Sequence, residues 1–100
     1  GNLIKGVRIR VDGFLPKQKI VFEYYSDYIH GNPEFYNPMD FNKKLKKTFG
    51  ELYQKTVIRE ELIKEAGYTL IVIWENEFLA TKKFFRQLAK LFKFISAHQR

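Results

Sequence analysis

A run of six residues with almost no polarity, Thr69-Leu70-Ile71-Val72-Ile73-Trp74, constrains this chain more than any other stretch. A strand apolar at every position, rather than at alternate ones, has the pattern of burial on both faces and of parallel pairing. Parallel strands need a crossover, and the preceding residues supply one. Between 51 and 66, Leu52, Tyr53, Val57, Ile58, Leu62 and Ile63 recur close to helical spacing. Gly67 then stands where a helix C-cap needs the left-handed conformation.

Upstream, Val7-Arg8-Ile9-Arg10-Val11 alternates apolar and basic residues, which predicts a strand with Arg8 and Arg10 facing outward. The Asp, Gly and Pro of residues 12–18 mark a turn, and Lys19-Ile20-Val21-Phe22-Glu23-Tyr24-Tyr25 is a β-branched and aromatic return strand. Residues 26–38 hold two Asn-Pro pairs and His30-Gly31, the signature of a loop. After residue 81, Phe84, Phe85, Leu88, Leu91, Phe92 and Ile95 share one helical face, with Lys82, Lys83, Arg86, Lys90 and Lys93 mostly opposite. That face is expected to pack on the sheet, because a domain this small needs the apolar area; an anionic membrane surface is the competing use. The order strand, strand, helix, strand, helix predicts an α/β fold in which a hairpin is followed by a crossover to a central strand.

At 100 residues, 45% of them hydrophobic, the chain is expected to form one domain with one core rather than two, and not to be disordered. No apolar run reaches the roughly 18 residues of a membrane span, so no membrane partner is expected. There is no cysteine, which excludes disulfide scaffolds, thiolate zinc sites and cysteine nucleophiles. Eighteen Lys+Arg against 11 Asp+Glu give a net charge of +7, and a field of that sign gathers polyanions. Lys43, Lys44, Lys46 and Lys47 form one basic cluster, and the segment after Glu77 forms a second that contains no acid.

Asp12 and Glu23 lie in the two arms of the expected hairpin, where the turn brings two carboxylates to one sheet edge. Such a pair suits Mg²⁺ or Mn²⁺, whose remaining ligands are water and phosphate oxygens. On spacing alone it equally suits a turn aspartate and an outward-facing strand glutamate. His30 suits general acid–base work near neutral pH, and equally a structural role. Tyr28 and Ile29, just before it, suit either packing on the hairpin or a wedge between base steps. Lys55 and Arg59 stand one helical turn apart and so can face phosphate together or simply face solvent.

Four blocks carry a resemblance: Arg10-Val11-Asp12-Gly13, the strand Ile20-Val21-Phe22-Glu23-Tyr24-Tyr25, the loop Tyr28-Ile29-His30-Gly31, and Arg59-Glu60 followed by Glu65-Ala66-Gly67-Tyr68 and the apolar strand with Trp74-Glu75. In this order they resemble the very-short-patch-repair-like branch of the PD-(D/E)XK nucleases, over about residues 7–77. The resemblance implies a restriction-endonuclease-like core, a small mixed sheet flanked by helices, and a Mg²⁺-dependent DNA endonuclease. It implies Asp12 as metal ligand, with Glu23 beside it, His30 assisting attack of water, and Tyr28 and Ile29 at the DNA. Three features depart from the family. Tyr25 stands where the superfamily has a lysine, a role left to Lys55 or another lysine; Asp27 stands at the first cysteine of the repair enzymes' zinc site; and the family's opening helix with a further acid has no counterpart before the first strand. The departures suit an alternative, a catalytically weak or inactive DNA-binding or accessory domain of a larger DNA-processing protein. A DNA partner implies cytoplasm or nucleus, and cutting of both strands implies a homodimer or further parts of a longer chain.

Overall fold

The structure is a computed structural model that describes residues 10–98. Strand β2 (Ile20–Tyr25) is its organising element. It pairs antiparallel with β1 (Gly13–Leu15), in the register Gly13 to Phe22 and Leu15 to Ile20, and parallel with β5 (Thr69–Trp74), from Ile20 opposite Thr69 to Tyr25 opposite Trp74. A separate two-stranded ladder joins β3 (Phe41–Asn42) to β4 (Lys47–Thr48). Helix α1 (Phe49–Glu65) makes the crossover, and α2 (Glu75–His98) follows β5 directly. The chain is therefore α/β with a small mixed sheet, and the parallel pairing across a helix is as expected.

Helix α1 has both ends specified locally. Thr48 accepts the Glu51 N–H while the Glu51 carboxylate accepts the Thr48 N–H, a reciprocal capping box. At the other end Ala66 is the cap and Gly67 takes φ +93°, with the Gly67 N–H donating to Lys64 and the Tyr68 N–H to Ile63, as in a Schellman motif. The helix buries Phe49, Leu52, Thr56 and Ile63; Ile63 packs on Val21, one of the residues Val21, Glu23 and Tyr25 that alternate inward along β2, while Phe49 packs on Tyr28 and Tyr36 of the loop. Ile58 and Leu62 stay exposed, although their spacing counts them with the apolar stripe.

Three expectations are corrected. Of the strand expected at residues 7–11, residues 7–9 lie outside the described residues, while Arg10 and Val11 are not in a strand. The hairpin's first arm begins at Gly13, inside the stretch read as a turn. Gly13 faces Phe22 so closely that a Cβ would lie 3.2 Å from the Phe22 Cβ, and the reversal falls instead between Pro16 and Lys19, where Lys19 takes φ 54°. Second, β2 is the central strand and β5 lies at the edge of the three-stranded sheet among the described residues. Only one face of β5 is covered: Ile71 and Ile73 stand exposed beside Phe22 and Tyr24.

Third, α2 does not pack its apolar face on the sheet, and none of its described residues is buried. The radius of gyration is 18.4 Å, where about 13 Å is usual for 100 residues, because α2 leaves β5 without a turn and projects from it. Among the described residues no helix is long and apolar enough to cross a membrane.

The core centres on Val21 and Ile63, each 0% exposed. Ile63→Ala should therefore lower the unfolding free energy by about 3 kcal/mol, whereas Ile58→Ala, on the same helix but 53% exposed, should change it by under about 0.5 kcal/mol. Urea denaturation of both variants checks this, and equal losses would contradict the packing described.

Candidate active site

Glu23 points inward from the middle of β2 and is 6% exposed, so its charge needs a partner. Arg59 supplies it from α1: Nε donates to Glu23 Oε1 at 3.0 Å and Nη2 to the same oxygen at 2.5 Å. Nη2 also donates to the Arg10 carbonyl, which ties the helix to the chain entering β1. The other oxygen, Oε2, accepts the Asp12 backbone N–H at 3.4 Å. Burial pushes the Glu23 carboxyl above its usual range, Arg59 pulls it back, and Asp12 pushes it up again.

The Asp12 side chain turns back to β2, where Oδ2 accepts the Tyr24 N–H at 2.7 Å. Its Oδ1 makes no hydrogen bond among the described residues, and the residue is exposed. Asp12, just before β1, thus lies across from Glu23 on the central strand β2, so the two acids are neighbours within the sheet and not at its edge.

His30 arrives from the loop after β2. Gly31 holds φ +61° with its backbone against α1, and a Cβ there would clash with the Phe49 carbonyl. Asp27 knits the loop together: its Oδ1 accepts the Asn32 and Asn76 amides, each at 2.9 Å, while its N–H donates to Glu75. Hydrogen bonds thus hold the loop around Asp27, and they give Glu75 a structural role.

The imidazole stacks on the Tyr25 ring at 4.3 Å, with half-buried Trp74 edge-on to both rings. Its Nδ1 lies 3.0 Å from Thr56 Oγ1. The Thr56 hydroxyl proton is committed to the Leu52 carbonyl at 3.0 Å, so Thr56 can only accept from the histidine. Nδ1 therefore carries the proton of the neutral ring, and Nε2 keeps its lone pair. Burial lowers the His30 pKa below 6.5, and the Arg59 charge lowers it further, against an opposing push from Asp12. The histidine is neutral at pH 7, with its free nitrogen in the form a base requires. Thr56 escapes sequence reasoning because a threonine on an apolar helix face carries no signal of its histidine partner. The Tyr25 phenol, whose hydroxyl is buried without a hydrogen-bond partner among the described residues, is pushed up by burial and by the nearby Glu60 carboxylate.

An open groove of about 440 Å³ adjoins this corner, mostly apolar in its walls, with His30, Lys55 and Arg59 as the ionisable side chains along it. A shallower depression beside α1 holds Lys47 and Lys55. Lys43, Lys44 and Lys46 crowd the tight turn between β3 and β4, where Lys46 takes φ 56°. The buried Asn42 braces that turn through the Tyr28 carbonyl and the Leu45 N–H. Ile29 lines the groove, whereas Tyr28 packs edge-on against Phe49 and Tyr36 and is 36% exposed.

Among the described residues no three His, Asp or Glu side chains converge closely enough to hold a metal by themselves. The donors on hand are Asp12 Oδ1 and Glu23 Oε1, the latter occupied by Arg59. One or two carboxylates are what Mg²⁺ ordinarily takes from a protein when phosphate and water complete its shell, so the donor set fits that ion in the presence of a phosphodiester. No family model, no curated protein and no solved structure matches the chain.

Long-range ¹⁵N–¹H correlation spectra at pH 7.5 should show His30 protonated at Nδ1 and bare at Nε2, titrating below 6.5. Arg59→Met should raise that midpoint by removing a cation. An Nε2–H tautomer, or a midpoint unmoved by the substitution, would contradict the arrangement.

Proposed function

We propose that this chain is a metal-dependent DNA endonuclease with a restriction-endonuclease-like core, acting on phosphodiester bonds from the corner where Asp12, Glu23 and His30 meet. The observation that carries the reading is that Arg59, which holds Glu23 beside Asp12, also lines the groove that His30 and Lys55 share. The resemblance of the four sequence blocks points the same way.

The lysines of the β3–β4 turn and of α1 hold the phosphate backbone through charge, without reading sequence. A phosphate entering the groove competes with Glu23 for the Arg59 guanidinium. Movement of Arg59 onto that phosphate frees Glu23 Oε1 to join Asp12 Oδ1 as a cation ligand. A Mg²⁺ or Mn²⁺ ion bound there supplies charge neutralisation at the leaving oxygen and a more acidic water. His30 takes the proton of the attacking water on Nε2, the water oxygen bonds to phosphorus, and the bond from phosphorus to the leaving sugar oxygen breaks; that oxygen is protonated from solvent. Thr56 holds the histidine tautomer and Tyr25 its plane, so both act as positioning residues. Ile29 borders the groove on the DNA side, and Tyr28, packed on Phe49 and Tyr36, presents its exposed part to the DNA beside it.

A second reading, a DNA-binding module without catalysis, draws on one observation: Arg59 already satisfies Glu23, which leaves Asp12 as the carboxylate with an open oxygen.

Supercoiled plasmid with Mg²⁺ or Mn²⁺ separates the two. The nuclease reading expects open-circle or linear product that EDTA abolishes. Asp12→Ala should lose at least 100-fold in rate, on the order of one metal-ligand contribution, while gel-shift affinity for DNA falls less than about 3-fold. Because His30 must be neutral, the rate should rise with pH through a midpoint below 6.5 and then level off. DNA binding that weakens steeply with salt, with no product under any metal, would leave only the second reading.

A further inference from the structure

Two apolar surfaces of this chain are left largely uncovered by its described residues, Phe78 against Tyr24 being the one ring contact between them. The first is the sheet face turned away from α1, where Phe22 lies beside Ile71 and Tyr24 beside Ile73, exposed by 36 to 44%. The second is one arc of α2. At 100° per residue, Phe84, Phe85, Leu91, Phe92 and Ile95 fall within about 120° of one another, and each is 41 to 62% exposed. We propose that α2 of one copy docks across the open sheet face of a second copy, whose α2 docks in return, giving a symmetric dimer.

The chain's own connectivity argues for a second copy. A helix that covers the sheet it leaves must reverse direction, which commonly takes a loop of about 2–6 residues. Here Trp74 ends β5 and Glu75 begins α2, with nothing between. Phe78, in the first turn, still meets Tyr24 edge-on at 5.8 Å, but the stripe from Phe84 onward lies further along the projecting helix.

Dimensions match as well. The 12 residues from Phe84 to Ile95 span about 18 Å of helix, and the six-residue strands of β2 and β5 span about 20 Å. The nine half-exposed side chains named above, at roughly 100 Å² apiece, offer about 900 Å² per chain, comparable to the ~800 Å² per partner of a standard stable interface. Each copy contributes one helix and one sheet face, so the exchange closes on two copies and does not propagate.

Coverage of both surfaces selects this occupant over others. The basic arc of α2, with Lys82, Lys83, Arg86, Lys90 and Lys93, points away from the apolar arc and stays in solvent when that arc docks. Pairing two α2 helices would cover the helices but leave both sheet faces bare. The open sheet face carries no Lys or Arg in β2 or β5, and the Asp27 and Glu75 carboxylates lie close enough to act on Tyr24 at its end. An anionic bilayer would satisfy α2 but leave the sheet face bare, whereas a second copy covers both. The groove with His30 and Lys55 borders α1, on the opposite side of the sheet, and stays open in the dimer. The inference does not depend on the nuclease reading.

The absence of cysteine makes introduced cysteines clean reporters. Sedimentation equilibrium should give twice the 12.0 kDa chain mass, and Phe85→Glu should return it to 12.0 kDa with the circular dichroism spectrum kept. Oxidation of an equimolar mixture of Leu88→Cys and Ile71→Cys chains should yield a covalent dimer of one chain of each kind, distinguished by an isotope label. A monomer at tens of micromolar, whether or not it binds anionic vesicles, would overturn the proposal. Cross-linking of Leu88→Cys to itself alone would show helix pairing instead, and an internal disulfide in the double variant would show that the chain covers its own sheet. The double variant carries Leu88→Cys and Ile71→Cys on one chain, and either result would also overturn the proposal.

Discussion

A carboxylate buried in the middle of the central strand is the constraint around which the rest is arranged. Glu23 sits where β2 would otherwise place an apolar side chain against α1, and a lone charge there costs several kcal/mol. Arg59 answers it, and in reaching Glu23 and the Arg10 carbonyl it joins the helix, the central strand and the entry to β1. The inward face of α1 is polar at Thr56 and Arg59 for this reason, apolar packing being confined to Phe49, Leu52 and Ile63. The fold thus keeps an ion pair and a histidine contact in a position that a maximally stable core would fill with hydrocarbon.

That arrangement explains why the site is electrostatically coupled. Arg59 neutralises Glu23 and, through the same charge, adds to burial in lowering the His30 pKa. A polyanion that drew Arg59 away would release both effects at once, exposing a carboxylate oxygen and making the histidine more basic. In the nuclease reading, substrate binding and assembly of the cation site are one event, so the free protein keeps its buried carboxylate paired.

Local chemistry made some of this legible in the sequence. The apolar run 69–74 with Gly67 before it predicted the parallel strand and its helical crossover. Asp12 and Glu23 were expected at one sheet edge; they are neighbours, but on the central strand and the chain entering β1. The unread features depend on tertiary context. Glu23 and Arg59 are 36 residues apart, and nothing in either neighbourhood marks the other. Gly13 and Pro16 both carry turn signals, yet the close approach of Phe22 requires Gly13 in the strand, so the hairpin shifted relative to its predicted turn. The run 69–74 reads as buried on both faces because hydropathy records what a surface will avoid, not what covers it. The same distinction separates the amphipathic pattern of α2 from the expectation that its own sheet would receive it.

In the nuclease reading, Asp12 and Glu23 form a divalent-cation site completed by a bound phosphodiester. Electron paramagnetic resonance of free Mn²⁺ tests it most directly, because the signal of the free ion falls as the ion is coordinated. The account predicts weak Mn²⁺ uptake by the protein alone, at least about 10-fold tighter uptake when a short DNA duplex is present, and loss of that enhancement in Asp12→Asn. Uptake that is the same with and without DNA, or unchanged in Asp12→Asn, would contradict it.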